Sequence, residues 1–256
     1  TRADRALRVT LWYPAAGPPG GRVRADADPA RGRFPVILFS HGLGGAPADY
    51  RQLVTRWAAA GFVVAAPAYP FTNRDAPRVD VLDVLNQPAD ASHVLSRVLA
   101  LNSAAGDPLR GRLETGRVAA AGHSAGAITT IGLFTLARDA RLDAGIVLAG
   151  TSLGVGTAFS GAAAPLMFVH GARDNVVSYA AGKAAYDSVP WPKALLTLPE
   201  GDHGRALSDG DDPSFRVVAD TTVEFLRWSL YGDPAAKRRL PTDAARGNRA
   251  TLDNRL

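Results

Sequence analysis

Between Val118 and Leu136 an apolar run, a serine between two spaced glycines and a second apolar stretch follow one another. The run is Val118-Ala119-Ala120-Ala121, the turn is Gly122-His123-Ser124-Ala125-Gly126, and the stretch Ala127 to Leu136 comes next. Strand, sharp turn and helix are the context that G-x-S-x-G needs. A serine at the apex of such a turn sits in strained backbone. Side chains two residues before or after it would collide, so both places require glycine. Its hydroxyl is then exposed at a helix N-terminus, where backbone N–H groups can stabilise negative charge. In a chain rich in Gly and Ala a bare match carries little weight, so its partners must decide.

A serine nucleophile needs a neutral imidazole to take its proton and a carboxylate to orient that imidazole. After a strand–turn–helix elbow the chain order is Ser, acid, His. Of the five histidines, only His170 and His203 lie downstream of Ser124. His170 ends the apolar run Leu166-Met167-Phe168-Val169 and reads as a strand-end residue. His203 lies in a turn-rich loop, Pro199 to Gly204, after the run Ala194 to Leu198, where a well-aimed base belongs. Asp174 follows the strand ending at His170 by a short Gly-containing turn and is the acid candidate. It could instead cap a helix starting near Val177. Asp202 adjoins His203, but neighbouring side chains on an extended loop diverge. Asp143 precedes a strand and so falls at the wrong end of the sheet.

Phe34 to Ser40 reads as a buried strand running into His41-Gly42-Leu43-Gly44-Gly45. Small residues let backbone N–H groups approach a substrate closely. The N–H groups of Leu43 and Ala125 are expected to face a developing oxyanion. Removing one such donor typically costs about 2.7–4 kcal/mol of transition-state stabilisation.

Taken together these segments resemble an α/β-hydrolase. More narrowly they resemble the branch of dienelactone-hydrolase-like proteins, platelet-activating-factor acetylhydrolases and bacterial cutinases that attack polyesters. The resemblance is carried by Leu11-Trp12-Tyr13-Pro14-Ala15, Ser40 to Gly45, Gly61-Phe62-Val63-Val64, Gly122 to Gly126, His170 to Asp174 and Asp202-His203-Gly204. It implies an α/β-hydrolase fold: a mostly parallel central sheet flanked by helices on both faces, with no large lid. It also implies a Ser124–Asp174–His203 triad acting on carboxylic esters, small or polymeric. Substrate is less constrained, because this fold hosts many functions. Two departures bear on it. Polyesterases of this kind usually carry Met after the nucleophile, where this chain has Ala125. They also usually carry a Trp in the loop after the next strand. Here that loop, Gly150 to Ala164, holds Leu153 as a candidate substrate contact and Phe159 as its sole aromatic residue. Efficient attack on aromatic polyesters is therefore not expected. The usual C-terminal disulfide is missing too, since the chain has no cysteine.

The rest of the chain fits one α/β domain. Its 256 residues suffice to bury a large core, and short apolar runs alternate with helical patterns. Leu7 to Tyr13 reads as an antiparallel strand, and Gly17 to Arg33 as a surface connection. Pro47 to Ala60 reads as a helix closed by Gly61, followed by a strand from Phe62 to Ala66. Pro67 to Gln87 is a long loop and a candidate cleft wall. Tyr69 and Phe71 there are either substrate contacts or packing beneath the loop. Pro88 opens a helix that carries His93 to about Asn102, and Ser214 to Tyr231 is the last helix. The catalytic domain is placed at residues 1–231. From Gly232 to Leu256 the pattern fades, which predicts an extension packed on that domain or trailing from it.

No run of 18 or more apolar residues is present, so no membrane insertion is expected. The net charge of +5 is spread along the chain except at Lys237-Arg238-Arg239. No nucleic-acid-binding pattern accompanies it, so nucleic acid is not an expected partner. No cofactor or metal is implied, because the histidines lack H-x-x-x-H spacing and there is no thiolate ligand. The chain starts at Thr1, as a processed secreted protein or a trimmed chain would, and the resemblance leans toward secretion. Oligomeric state is left open. Besides ester hydrolysis, two other readings stand at this point: acyl transfer to a second alcohol by the same triad, and a non-catalytic binding protein on the same scaffold.

Overall fold

A computed structural model of the chain describes residues 5–18 and 23–256. Thr1 and part of the connection from Gly17 to Arg33 therefore lie outside the described residues. The chain runs β1 (Arg8–Trp12), β2 (Phe34–Ser40), a 3-10 turn (Pro47–Tyr50), α1 (Arg51–Ala59), β3 (Val63–Ala68) and a second 3-10 turn (Val81–Leu85). It continues through α2 (Gln87–Ala100), β4 (Leu113–His123), α3 (Ala125–Gly132), β5 (Leu142–Leu148), β6 (Leu166–Gly171) and α4 (Tyr179–Ser188). It ends with β7 (Lys193–Leu198), α5 (Arg205–Ser208), α6 (Phe215–Tyr231), α7 (Pro234–Ala244) and β8 (Thr251–Arg255). The strands form one sheet in the order β1-β3-β2-β4-β5-β6-β7-β8. Pairing from β3 through β7 is parallel, and β1 and β8 close the two edges antiparallel. This is the expected α/β-hydrolase architecture.

Central parallel strands are covered on both faces, so they read as continuous apolar runs. In β2, Ile37 and Phe39 face a core built with Leu53, Val54 and Trp57 of α1 and Phe225 and Leu226 of α6. Val36 and Leu38 face the opposite core, with Val94 and Leu95 of α2, Ile131 of α3 and Tyr186 of α4. Residues 37 and 39 thus belong to one layer and 36 and 38 to the other, the period-two signature of a strand. Because strands β2 to β7 all point the same way, their following loops gather at one end of the sheet, where α/β sites form.

Two regions carry more structure than their sequence pattern indicates. The segment after Gly232 carries structure: Asp233 caps α7 through the N–H groups of Ala235 and Ala236. Ala236, Leu240 and Ala244 are buried as one stripe of α7, and β8 pairs with β7 from Thr251 to Arg255. The loop from Pro67 to Gln87 is also held firmly. Arg5, itself buried, donates to Asp83 at 2.6 and 3.0 Å and also bonds Asp90. Its guanidinium lies 5.2 Å from the ring centre of Phe71. Gln87, fully buried, donates to Thr72 Oγ1 at 2.6 Å and accepts from Thr129 of α3 at 2.6 Å.

Removing one member of a buried ion pair leaves the other charge uncompensated. Arg5→Ala is therefore expected to cost about 3–5 kcal/mol, read as a lower chemical-denaturation midpoint. Adding Asp83→Asn should recover part of that loss. An unchanged midpoint for Arg5→Ala would mean that the cluster contributes nothing to stability.

Candidate active site

Ser124 stands between the end of β4 and the start of α3 with φ 56° and ψ −118°. A non-glycine residue in this left-handed region carries strain of about 1–3 kcal/mol and persists only when its surroundings enforce it. The enforcement is visible. The Ser124 amide donates to Leu148 O at 2.9 Å. A Cβ on Gly122 would lie 2.1 Å from Gly126 O, and a Cβ on Gly126 would lie 2.0 Å from Ser40 O. Both glycines are thus required by backbone contact. The second presses the elbow against the end of β2, where the His41–Gly45 loop begins.

That loop is pinned from several sides. Gly44 N–H donates to Thr72 O at 2.7 Å, Arg74 N–H to Gly45 O at 2.9 Å, and Gly42 N–H to the Tyr50 hydroxyl at 3.1 Å. His41 Nε2 accepts from Tyr69 N–H at 3.1 Å, so its Nδ1–H donates to Gly42 O at 2.8 Å. Burial pushes the His41 pKa down, which keeps this ring neutral. Among the described residues the N–H of Leu43 has no hydrogen-bond partner.

Asp174 and His203 are brought together. His203 Nδ1 donates to Asp174 Oδ2 at 2.7 Å, which leaves Nε2 of the neutral ring as the acceptor. The other carboxylate oxygen accepts from the N–H groups of Val176 and Val177 at 2.8 and 2.9 Å. Burial pushes the Asp174 pKa up, but the His203 bond and the two N–H donors outweigh it and hold the carboxyl below its usual range. The helix-capping alternative for Asp174 is not what is observed: α4 starts at Tyr179 and is capped by Ser178. Asp202 spends its carboxylate on the N–H groups of Gly204 and Arg205. Asp143 bonds Val118 N–H, near where β5 begins. The Ser124 hydroxyl is not hydrogen-bonded to His203 among the described contacts. The two segments meet instead through His123, whose ring centre is 4.7 Å from that of His203.

Three further sequence candidates fall differently. Tyr69 is not a substrate contact. It is fully buried, its hydroxyl 2.8 Å from Ser40 Oγ, because the Gly44–Thr72 bond draws the loop over it. Phe71 is half-buried beneath Arg5. Leu153 is 74 % exposed in the turn after β5, beside Gly154, against which Leu85 packs. The sequence reading missed Tyr50 and gave His123 no role. A groove of about 540 Å³ elsewhere, lined by Arg5, Leu7, Val9, His93 and Arg97 among others, has no serine, threonine or cysteine in its lining.

Comparison with known families brings in the chlorophyllase family, whose model matches residues 18–149, just over half of the chain. The chain belongs to the chlorophyllase family. That family is part of the α/β-hydrolase superfamily, as the sequence resemblance implied, and membership makes the chain an ester hydrolase. The matched span takes in the His41–Gly45 loop and the elbow. It ends before Asp174 and His203, which rest on geometry alone. A comparison with curated proteins gave no match.

The glycine contacts make a sharp prediction. Gly126→Ala should abolish soluble folded protein or collapse its melting temperature, because the new methyl meets backbone on a neighbouring strand. Gly116→Ala, with nothing within 4 Å of the new methyl, should melt within a few degrees of wild type. Equal melting of the two variants would contradict the elbow geometry.

Proposed function

We propose that the chain is a serine carboxylic-ester hydrolase in which Ser124 is the nucleophile, His203 the base and Asp174 its orienting acid. The observation that carries this reading is the 2.7 Å bond from His203 Nδ1 to Asp174, at the same end of the sheet as a serine held in the elbow conformation. In the reaction, Ser124 Oγ attacks the ester carbonyl while its proton passes to His203 Nε2. The resulting imidazolium is stabilised by Asp174. The N–H groups of Leu43 and Ala125 receive the oxyanion. The alcohol leaves with the proton from His203. Water, activated by the same ring, then clears the acyl-enzyme and restores Ser124.

The acyl side is proposed to be apolar, as in lipase- or cutinase-like enzymes. Leu43, Leu85, Leu153 and Val176 are exposed on loops that follow β2, β3, β5 and β6. In a parallel sheet those loops share the end that carries Ser124. The family's name makes chlorophyll one ester to include among the substrates tested.

The deciding experiment is hydrolysis of p-nitrophenyl esters from acetate to palmitate, with fluorophosphonate labelling. Ser124→Ala should lose labelling and about 10⁶-fold in kcat, and Asp174→Asn about 10⁴-fold. Full activity in Ser124→Ala would overturn the reading. Because His203 must be neutral to act, kcat/KM should rise from acid toward alkaline pH and then level, and a flat profile from about pH 5 to 9 would contradict its role as base. If Leu153 contacts the acyl chain, Leu153→Ser should reduce kcat/KM for longer esters more than for acetate. The scale is about fourfold per methylene no longer buried, equivalent to about 0.8 kcal/mol. An equal effect at every chain length would remove Leu153 from the acyl site.

A further inference from the structure

His123 occupies the variable position before the nucleophile, and Tyr50 the turn before α1. Neither has a part in the mechanism above. Both are buried, and they form a continuous line of hydrogen bonds behind Ser124. Gly42 N–H lies 3.1 Å from the Tyr50 hydroxyl, that hydroxyl 2.7 Å from His123 Nδ1, and His123 Nε2 2.7 Å from the backbone carbonyl of His203. The two ends fix the direction of every bond. An amide N–H can only donate and a carbonyl can only accept. So Nε2 of His123 carries the proton and donates to His203 O. Nδ1 is left as an acceptor, and the Tyr50 O–H donates to it while its oxygen accepts from Gly42.

We infer that His123 and Tyr50 are positioning residues: their one-way chain of hydrogen bonds ties the His203 loop to the Gly42 loop and sets the base and the oxyanion donors relative to each other across Ser124. This rests on the roles proposed above for Ser124 and His203. The chain tolerates only a neutral His123. A protonated ring would turn Nδ1 into a donor, and the Tyr50 O–H would lose its acceptor. Burial meets that requirement: it pushes the His123 pKa down to about 4 and the Tyr50 pKa up to about 12. His123 can therefore stay uncharged while the neighbouring His203 ring, tilted 46° to it, gains a proton during turnover. The surroundings leave little slack, since a Cβ on Gly42 would lie 3.2 to 3.3 Å from Tyr50, His123 and Ser124 alike.

Packing alone is the rival explanation, because Tyr50 also lies against Phe39, with ring centres 4.8 Å apart. The test is steady-state kinetics on p-nitrophenyl butyrate for wild type, Tyr50→Phe, His123→Phe, His123→Gln, the Tyr50→Phe/His123→Phe double variant and Ser124→Ala, each with a thermal melt. Small misplacements of reacting groups can cost up to about a hundredfold, so His123→Phe should lower kcat about 10- to 100-fold with KM within about threefold. Tyr50→Phe, which keeps the ring and its packing, should lower kcat about 3- to 10-fold. A chain cut once gains little from a second cut, so the double variant should match His123→Phe within about twofold. His123→Gln, whose amide can still donate to His203 O, should recover most of the kcat lost in His123→Phe. Wild-type kcat in Tyr50→Phe and His123→Phe would overturn the inference, as would losses that multiply in the double variant or a His123→Gln no better than His123→Phe. Should His123→Phe fail to fold, Tyr50→Phe and His123→Gln decide alone: near-wild-type kcat in the first, or a His123→Gln with kcat down tenfold or more, overturns it. An active Ser124→Ala would instead refute the underlying catalytic reading.

Discussion

The carboxyl end of the sheet depends on how closely the helix after Ser124 approaches the strand beside it. The Gly126 backbone sits so near Ser40 O that not even a methyl group fits between them. That single approach does two things. It forces Ser124 into a conformation that a relaxed chain would avoid, and it brings the start of α3 alongside the His41–Gly45 loop. The strain is sustained by the buried strands on either side, β2 and β5, to which the elbow is anchored. Interiors are packed densely enough that such a position cannot relax by small adjustments of its neighbours.

Three of the imidazoles around this point use their two nitrogens differently. His41 donates from Nδ1 and accepts at Nε2, knitting its loop to Tyr69. His123 donates from Nε2 and accepts at Nδ1. His203 donates from Nδ1 to Asp174, which leaves Nε2 as the acceptor. What separates them is environment. The first two are buried among neutral partners and are driven toward the uncharged form. The third is partly open and faces a carboxylate.

How much of this was legible in the sequence varied with how narrowly physics restricts each residue. The elbow could be read because its glycines have no substitutes. Asp174 and His203 could be read because each follows an apolar run by a short turn. The role of His123 could not, since its position in G-x-S-x-G admits any residue and its partners come from distant loops. For Tyr69 the sequence left substrate contact and packing both open, and backbone bonds to Gly44 and Gly45, on a distant segment, draw its loop inward. The C-terminal segment held readable signals: Asp233-Pro234 is a helix start, and Ala236, Leu240 and Ala244 repeat every four residues. Lys237 to Arg239 and Pro241 interrupt that pattern. β8, with Asp253 and Asn254, has poor strand formers and is held by its ladder to β7.

That final ladder has a consequence for how the molecule is made. Strand β7 is apolar and nearly all buried, yet its outer neighbour is the last strand of the described chain. During synthesis its outer edge therefore stays unpaired until the segment through Arg255 has emerged, and an open apolar edge is a template for another chain. A chain cut between Gly204 and Thr251 would keep Ser124, Asp174 and His203 but leave that edge of the sheet unsealed. Such a fragment would be open to aggregation through its bare β7 edge, although it lacks none of those three residues.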